Sequence, residues 1–367
     1  MVVWMSYTVL QIIPALGEGG VERGAVDVAL FLKSQGHHPV IASSDGAFST
    51  VLKAHGIEWI KGPFGQKTWA GFRQARKILV DYLSEHQVDV IHGRSRLPCW
   101  HATHLAKRFN KPLVTTIHGM HGGGWMNLKH LYNRSIVGGD KVIAISNTVA
   151  KYAKRHFPEC ASKLVVIPRW VDLDAYPLMS LADQNAQRLL MSVQKPLIVM
   201  PARITRWKGQ KRVLEALSRV QMSMHVVFIG KVDDIEYFNE CQSLSDALTQ
   251  HDIEWQPPSI TLNQLLSVSN AVIAASTKPE PFGRIPLEAA AVGSWMIAPD
   301  HGGFSETIKH QNTGYLYQPN QLDDLVRALE SIPPKKEQSM RLMRDHAEQF
   351  SLQAMCAQVL KVYQQVI

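Results

Sequence analysis

Two glutamates in the second half of the chain have a type and spacing that suit nucleotide binding. Glu280 precedes Glu288 by eight positions in the segment KPEPFGRIPLEAAAVG. Pro286 favours the start of a helix, because the first turn does not use the missing N–H, and Gly293 is placed to end that helix. Glu288 is therefore expected in the first turn, where the positive helix end favours an ionised carboxylate. Such a carboxylate can accept hydrogen bonds from both hydroxyls of a ribose.

The same turn offers backbone donors to an anion. The N–H groups from Gly283 to Leu287 are expected at the N-terminal end of this helix, where such groups can bind a phosphate. Glu280, in the preceding loop, would then reach whatever group is attached to the phosphates. The alternative interpretation is an ordinary helix whose glutamates are solvated.

A glycine-rich loop near the start of the chain is a second candidate anion site. GEGGVERG (17–24) follows a predicted strand at 8–13 and opens a predicted helix. Gly19 and Gly20 would let the backbone approach a phosphate closely. The nicotinamide-binding pattern G-x-G-x-x-G is not met, since Glu22 occupies the place of the third glycine. A simple tight turn is the alternative interpretation.

Several segments together resemble one enzyme family. EPFGRIPLEA, with the turn Asp300-His301-Gly302-Gly303 that follows it, looks like the donor-site signature of retaining glycosyltransferases of family 4. GGVER and TTIHG (115–119) match the same family, so the resemblance covers nearly the whole chain and is more specific than any single motif. It implies an α/β protein with the GT-B fold. That fold has two facing Rossmann-like domains with parallel sheets and a C-terminal helix that crosses back to the first domain.

The resemblance also implies a role for individual residues. Arg203 and Lys208, in PARITRWKGQ, resemble two cations on the donor diphosphate, where negative charge develops as the sugar–phosphate bond breaks. His118 resembles a histidine that contacts the donor sugar, as Glu280 is expected to do. The residues implied to bind the nucleotide or its phosphates are Gly19, Gly20, Phe282, Gly283, Arg284, Ile285 and Glu288. Neither a metal ion nor a cofactor is expected, because the bound molecule is the donor substrate itself.

A narrower resemblance concerns the substrates. HGRSRLPCWHA, TTIHGMHG, RITRWKGQ and STKPEPFGR together look like the core mannosyltransferases of bacterial lipopolysaccharide synthesis. The implied donor is GDP-mannose, and the implied acceptor is a phosphorylated, lipid-linked core sugar. Ser95 and Arg96, at a predicted strand end, are weaker candidates for holding that acceptor.

The elements that must position these residues alternate between strands and helices, as in Rossmann-like domains. The first domain is predicted over residues 1–172 and includes a returning helix at 351–367, and the second over residues 173–350. Predicted strands of the first domain lie at 8–13, 39–42, 88–92, 112–117, 141–145 and 164–168. Predicted strands of the second lie at 197–201, 225–229, 271–275, 295–298 and 314–317.

The segment between the two domains departs from the family pattern. VIPRWVDLDAY has Arg169 and Trp170 where the family usually has Asn-Gly. Any hydrogen bond of that asparagine, and any tight turn that needs the glycine, is therefore not carried over. Asp172 and Asp174 match the Asp-x-Asp of metal-dependent transferases only superficially, and we interpret them as a helix start and hinge.

Composition places the chain among cytoplasmic two-domain proteins. Its length of 367 residues exceeds that of a typical single-core domain. Its composition, 46% hydrophobic and 19% charged, is typical of globular proteins. The four scattered cysteines form no C-x-x-C pair, which argues against a zinc site or a disulfide framework and fits a reducing compartment. No apolar run approaches the ~18 residues that span a bilayer, and no basic leader with a cleavage site precedes the first strand.

Positive charge is concentrated in the first half. Residues 1–172 contain 21 Lys and Arg against 11 Asp and Glu, whereas the remainder contains 18 against 20. A basic face attracts phosphates, nucleic acid or anionic lipid, but no motif of a known nucleic-acid-binding module is present. In the run KGPFGQKTWAGFRQARK (61–77), basic residues interleave with Phe64, Trp69 and Phe72, which predicts contact with an anionic membrane surface. An equal alternative is a solvated helix with Trp69 and Phe72 facing the core.

Two other functions stay open at this point. One is a sugar-nucleotide epimerase on a similar two-domain fold, which would convert a donor without any acceptor. The other is a nucleotide-sugar-binding protein without catalysis. The joint presence of His118, Lys208 and Glu280 argues against the second.

Overall fold

The computed structural model describes residues 6–17, 19–120, 128–258 and 262–367. The chain divides into two compact units, one formed by Met1–Pro168 with Leu352–Ile367 and the other by Arg169–Ser351. Each contains one parallel sheet covered by helices on both faces. The predicted α/β class with two Rossmann-like parallel sheets is confirmed.

The first unit has a seven-stranded sheet in the order β3-β2-β1-β4-β5-β6-β7. Its strands are β1 (Thr8–Ala15), β2 (His38–Ser44), β3 (Glu58–Lys61), β4 (Val90–Arg94), β5 (Leu113–Ile117), β6 (Lys141–Ala144) and β7 (Leu164–Val166). Its first six helices are α1 (Gly20–Ser34), α2 (Ser49–Ala54), α3 (Trp69–Glu85), α4 (Arg96–Phe109), α5 (Leu128–Asn133) and α6 (Asn147–His156). The central strands are continuous apolar runs, because α3 and α4 cover one face of the sheet and α1 and α2 the other.

The second unit has a six-stranded sheet in the order β10-β9-β8-β11-β12-β13. Its strands are β8 (Leu197–Pro201), β9 (His225–Ile229), β10 (Asp252–Gln256), β11 (Ala271–Ile273), β12 (Trp295–Pro299) and β13 (Gly314–Tyr317). Its helices are α7 (Leu181–Leu190), α8 (Gln210–Leu217), α9 (Ile235–Asp246), α10 (Leu262–Val268), α11 (Ile285–Ala291), α12 (Phe304–Thr307), α13 (Leu322–Glu330) and α14 (Glu337–Glu348). Every strand pair recorded in both sheets is parallel.

The last helix, α15 (Leu352–Gln364), belongs to the first unit. The hydroxyl of its Tyr363 lies 2.6 Å from Nδ1 of His92 on β4, and the other ring nitrogen of His92 lies 2.7 Å from Oγ1 of Thr116 on β5. Both Tyr363 and His92 are fully buried. Burial lowers the pKa of His92 well below its ordinary value, so the neutral ring links the helix to two strands. The predicted return of the last helix to the first domain is confirmed.

The prediction of a helix start at Asp172 is wrong. Residues 173–175 form a turn, in which Oδ1 of Asp172 accepts a hydrogen bond from the N–H of Ala175 at 3.2 Å. The next helix, α7, is capped instead by Ser180, whose side chain accepts from the N–H of Asp183. Asp172 thus holds a turn rather than a helix. Across the described residues, every helix is too short or too polar to traverse a lipid bilayer.

Candidate functional site

A cavity of about 230 Å³ lies in the second unit where the strand order reverses. The order β10-β9-β8-β11-β12-β13 is the Rossmann order, and β8 and β11 flank the reversal. Ligands of such sheets bind beyond the carboxyl ends of the strands at this point. The cavity lies there, since Pro201 and Ala202 from the end of β8 and Ala274 to Ser276 after β11 line it. Of the residues predicted from the sequence, it brings together Lys208, Glu280, Gly283, Arg284 and Ile285.

Lys208 and Glu280 form a buried ion pair in this cavity. Nζ of Lys208 lies 2.5 Å from Oε1 of Glu280, and the two side chains are 21% and 10% exposed. The hydroxyl of Ser276 donates to the same oxygen at 2.6 Å. The Lys208 ammonium also lies 4.5 Å from the centroid of the Trp207 ring. A cation and an oriented carboxylate therefore share a largely water-excluded space, which suits a phosphate beside a sugar hydroxyl.

Glycines bring the backbone of these residues into place. Gly209 follows Lys208 with a φ of 77°, and a Cβ there would lie 2.1 Å from the carbonyl oxygen of Ala275. Only glycine permits this approach between the loop after β8 and the end of β11. Gly303 donates its N–H to the Glu280 carbonyl at 2.8 Å, so the glycine turn after β12 holds the loop that carries Glu280.

The helix that carries Glu288 begins as predicted. Pro286 lies in the first turn of α11, and Glu288 is the acidic residue of that turn. The backbone expectation needs one correction, because the N–H of Leu287 donates to the carbonyl of Arg284 at 3.0 Å. Gly283, Arg284 and Ile285 remain the candidate N–H donors to a phosphate.

Glu288 is buried and held by two side chains. Nη2 of Arg284 lies 3.1 Å from Oε1 of Glu288, and the hydroxyl of Tyr176 is hydrogen-bonded to the same carboxylate. Burial raises the pKa of Glu288, while Arg284 and then Tyr176 act to lower it. Burial thus opposes the ionisation that the helix end was expected to favour, and Arg284 supplies compensating charge.

Arg203 lies beside a second cavity rather than on the Lys208 cavity. Its side chain is 59% exposed, and its guanidinium donates to Oδ2 of Asp233 at 2.7 Å. The carbonyl of Arg203 accepts from Nε2 of Gln210 at 2.9 Å, which fixes the loop after β8. The neighbouring cavity, of about 310 Å³, lies at the carboxyl ends of β9 and β10. Its lining includes the apolar and aromatic side chains of Ile204, Val232, Phe238, Trp255 and Pro257.

The side chain of Phe282 packs in the interior of the second unit. Its side chain is buried, and its ring centroid lies 6.4 Å from that of Phe350. A donor would therefore meet the backbone of Phe282 and not its ring.

Three predicted site residues belong to the first unit. Gly19 is the N-cap of α1 and Gly20 is the first residue of that helix, which places the glycine-rich loop at a helix start as expected. Glu18, in the same loop, lies outside the described residues. His118 directly follows β5 and is half-buried, so it lies at the carboxyl edge of its own sheet.

Sequence reasoning missed the side chains that hold the predicted ones. Ser276 bonds Glu280, Tyr176 bonds Glu288, and Asp233 bonds Arg203. Ser276 and Asp233 each follow a strand of the sheet, and this position was the only available signal. Among the described residues, no group of three or more His, Cys, Asp or Glu side chains is arranged to hold a metal ion.

Comparison with known proteins identifies the family. Residues 18–175 match the family Glycosyltransferase Family 4, and residues 182–349 match Glycosyl transferases group 1. A glycosyltransferase from Rickettsia africae, of known crystal structure, is 30% identical, with a TM-score of 0.88 over 99% of each chain. HepE from Anabaena, crystallised with UDP and glucose, has a TM-score of 0.80 and 20% identity over 98% of this chain and 100% of its own.

A curated relative gives the same result at lower coverage. The alpha-maltose-1-phosphate synthase of Mycolicibacterium smegmatis is 25% identical over 297 residues, which are 72% of this chain and 76% of the relative. With both sheets, both family matches and a full-length relative in agreement, the chain belongs to the glycosyltransferases of the GT-B fold.

Proposed function

We propose that this enzyme is a retaining, metal-independent glycosyltransferase that takes a hexose from a nucleotide-diphosphate sugar. The donor is GDP-mannose, and the acceptor is a hydroxyl of a glycolipid, the lipopolysaccharide core. The observation that carries the proposal is the buried pair of Lys208 and Glu280 at the sheet reversal of the second unit.

The chemistry follows from which charges are available. Breaking the sugar–phosphate bond leaves additional negative charge on the diphosphate, and a fixed cation in a water-excluded site stabilises that charge. Lys208 supplies it, and Arg203, which is largely exposed, supplies a second cation from the other side of the loop. Glu280 binds the sugar, and Glu288 binds the ribose. The acceptor hydroxyl attacks the face that the phosphate leaves, and the departing phosphate oxygen takes its proton.

The nucleobase would occupy the cavity beside Arg203. Phe238 and Trp255 are among the residues that line this cavity, and purines and pyrimidines stack on aromatic rings. The base would then lie beyond β9 and β10 and the diphosphate beyond β8, so the nucleotide follows the carboxyl edge of one sheet. The choice of GDP and mannose rests on the four sequence segments that resemble lipopolysaccharide mannosyltransferases.

The proposed class of acceptor is inferred from the surface of the first unit. Its surplus of positive charge and the exposed helix α3 suit a phosphorylated, lipid-linked acceptor at an anionic membrane on its cytoplasmic side. Lys67, Trp69, Arg73 and Lys77 are exposed, with Trp69 at 73%. The interpretation of Trp69 as a core residue is therefore wrong, whereas Phe64 is fully buried and cannot contact a membrane.

The test is a panel of nucleotide sugars, scored by nucleotide release. GDP-mannose, UDP-glucose and ADP-glucose are each incubated with the enzyme, with and without purified core lipopolysaccharide, and Lys208→Ala serves as the blank. Acceptor-dependent release of GDP from GDP-mannose supports the proposal. Conversion of the donor to a sugar epimer without acceptor would show an epimerase. Nucleotide binding without turnover on any donor and acceptor would show a binding protein and overturn the proposal.

A further inference from the structure

Arg284 occupies a position that the diphosphate chemistry does not explain. It caps α11 and lines the donor cavity, yet its guanidinium points to Glu288, with Nη2 3.1 Å from Oε1. Its side chain is 44% exposed, whereas that of Glu288 is only 7% exposed. An exposed arginine thus covers a buried carboxylate, and the carboxylate has lost most of its water.

Tyr176 approaches the same carboxylate from another part of the chain. Its hydroxyl is hydrogen-bonded to Glu288, and burial followed by the Glu288 charge raises the pKa of Tyr176. The neutral phenol is therefore the form that donates. Arg344, on the adjacent α14, fixes this segment, because its Nη1 donates to the carbonyl of Tyr176 at 2.6 Å and to that of Ala291 at 3.1 Å.

The other charged and titratable groups around Glu288 have their own partners. Arg344 is directed to backbone carbonyls and to Glu348, and His346 of α14 lies 2.9 Å from the carbonyl of Thr307. Asp172 acts on Tyr176 rather than on Glu288. Arg284 is accordingly the cation that compensates for the burial of Glu288.

We infer that Arg284 and Tyr176 are positioning residues, which keep Glu288 ionised and oriented for the ribose hydroxyls and do not bind the phosphates. The inference rests on the proposed role of Glu288 in nucleotide binding. A protonated Glu288 would have one oxygen fewer to accept hydrogen bonds, and a freely rotating one would meet the two hydroxyls less often.

If Arg284 keeps Glu288 ionised, nucleotide affinity should depend on pH in a predictable direction. Burial raises the pKa of Glu288 in the folded protein, and ribose binding requires the ionised form, so nucleotide affinity falls as pH falls through that pKa. The charge of Arg284 lowers the pKa of Glu288 more than any other group does, and Arg284→Met removes that charge. The midpoint of the affinity–pH curve therefore moves to higher pH in Arg284→Met and moves less, in the same direction, in Tyr176→Phe.

The experiment is calorimetric titration between pH 5 and 8.5. The ligands are GDP and UDP, whichever the wild type binds more tightly, and the matching nucleoside without phosphates. Arg284→Met is expected to weaken both ligands by a similar factor of about 10, and by more as the pH is lowered. In a Glu288→Gln background the same substitution should have little further effect. Arg219→Met, which removes an exposed arginine of the same unit, is the matched control, and Arg284→Lys should restore part of the affinity.

Each outcome bears on a different statement. If Arg284→Met weakens only the diphosphate and leaves the nucleoside unchanged, Arg284 is a phosphate ligand and the inference is wrong. An unchanged pH midpoint in a variant with wild-type circular dichroism also overturns it. A wild type that binds neither GDP nor UDP contradicts the proposed function instead, and the two failures are thereby distinguished.

Discussion

Nζ of Lys208 lies 2.5 Å from Oε1 of Glu280, so each side chain is the counter-ion of the other. A donor diphosphate would bring negative charge to the same ammonium and so compete with Glu280 for it. Ser276 donates to the contacted oxygen of Glu280 at 2.6 Å and would hold the carboxylate in place while Lys208 turns toward the phosphate. In the proposed mechanism the pair would present a cation to the leaving group and a carboxylate to the sugar from within one cavity.

Loss of the Lys208 charge should affect turnover most. In Lys208→Ala we expect kcat to fall by about 100- to 1,000-fold, because the charge is needed most when the sugar–phosphate bond breaks. Steady-state nucleotide release measures the change. Lys195→Ala removes a partly exposed lysine of the same unit, paired with Asp252, and should leave kcat unchanged. Full activity of Lys208→Ala would refute the proposed mechanism.

The two glutamates should separate binding from catalysis. Glu288→Gln is expected to weaken nucleoside diphosphate binding by about 10- to 100-fold, because an ionic acceptor to the ribose is worth roughly 1.5–3 kcal/mol. Glu280→Gln should mainly lower kcat, since its proposed partner is the sugar. Calorimetry with the free nucleotide and kinetics with the full donor distinguish the two. Unchanged nucleotide affinity in Glu288→Gln would show that its role is misassigned.

Activity should survive chelation of divalent ions. In the proposed mechanism Lys208 and Arg203 supply the positive charge that a metal would otherwise provide, and Asp172 holds a turn. We expect EDTA to leave most activity in the nucleotide-release assay. Complete loss that manganese restores would favour the Asp172 and Asp174 pair as metal ligands.

Attachment to anionic lipid should depend on α3. Lys67, Arg73 and Lys77 are exposed beside Trp69, and each basic residue near such a surface contributes about 1 kcal/mol. Replacing these three residues by serine should abolish co-sedimentation with anionic liposomes at low salt and spare nucleotide affinity. The matched control removes the same charge from α6, at Lys151, Lys154 and Arg155, which are also exposed. If wild-type protein ignores such liposomes at low salt, the membrane part of the proposal is wrong.

A buried histidine should make the first unit sensitive to acid. His101 is 1% exposed, neither ring nitrogen has a hydrogen-bond partner among the described residues, and its ring centroid lies 4.7 Å from that of Phe72. Burial, then Arg76 and His104, lower its pKa from 6.5 to about 4.

The unfolded chain therefore binds more protons than the folded one between pH 6.5 and 4. The free energy of unfolding should therefore decrease as the pH is lowered from 6.5 to 4, by up to about 3 kcal/mol. Urea unfolding of His101→Leu should show a flatter pH dependence, whereas His55→Gln, at an exposed position, should retain the wild-type slope. An identical slope in His101→Leu would assign the acid sensitivity to other groups.

The sequence predicted the central strands and the edge strands β7 and β13, but it missed two other edge strands. Central strands such as β8 and β9 were predicted with their observed bounds, because both faces are buried and the apolar run is continuous. The edge strands β3 and β10 were missed. Their sequences, EWIK and DIEWQ, alternate apolar with charged residues and are partly exposed, so they resemble loops as much as strands.

Site residues could be predicted where the chemistry of the reaction requires a particular residue type. The side chains that hold those residues in place could not, because folding alone determines which side chains are in contact. Lys208 and Glu280 stand in motifs with a fixed spacing, and the structure brings them together. The bond of Tyr176 to Glu288 joins residues more than a hundred positions apart, and no local pattern indicates it. The rise in the pKa of Glu288 could not be predicted for the same reason, because burial is a property of the folded unit and not of the helix end.

The position of α15 has a consequence for biosynthesis. This helix supplies buried contacts to the first unit, yet the ribosome makes it only after the entire second unit. At 5–20 residues per second, the nascent first unit waits on the order of 10–40 s without its last helix. During that interval His92 and the surface that α15 covers are exposed in the growing chain. The second unit is one continuous segment and can fold before α15 is made. Chaperones that act on this protein during translation would therefore bind the first unit, at the surface that α15 later covers.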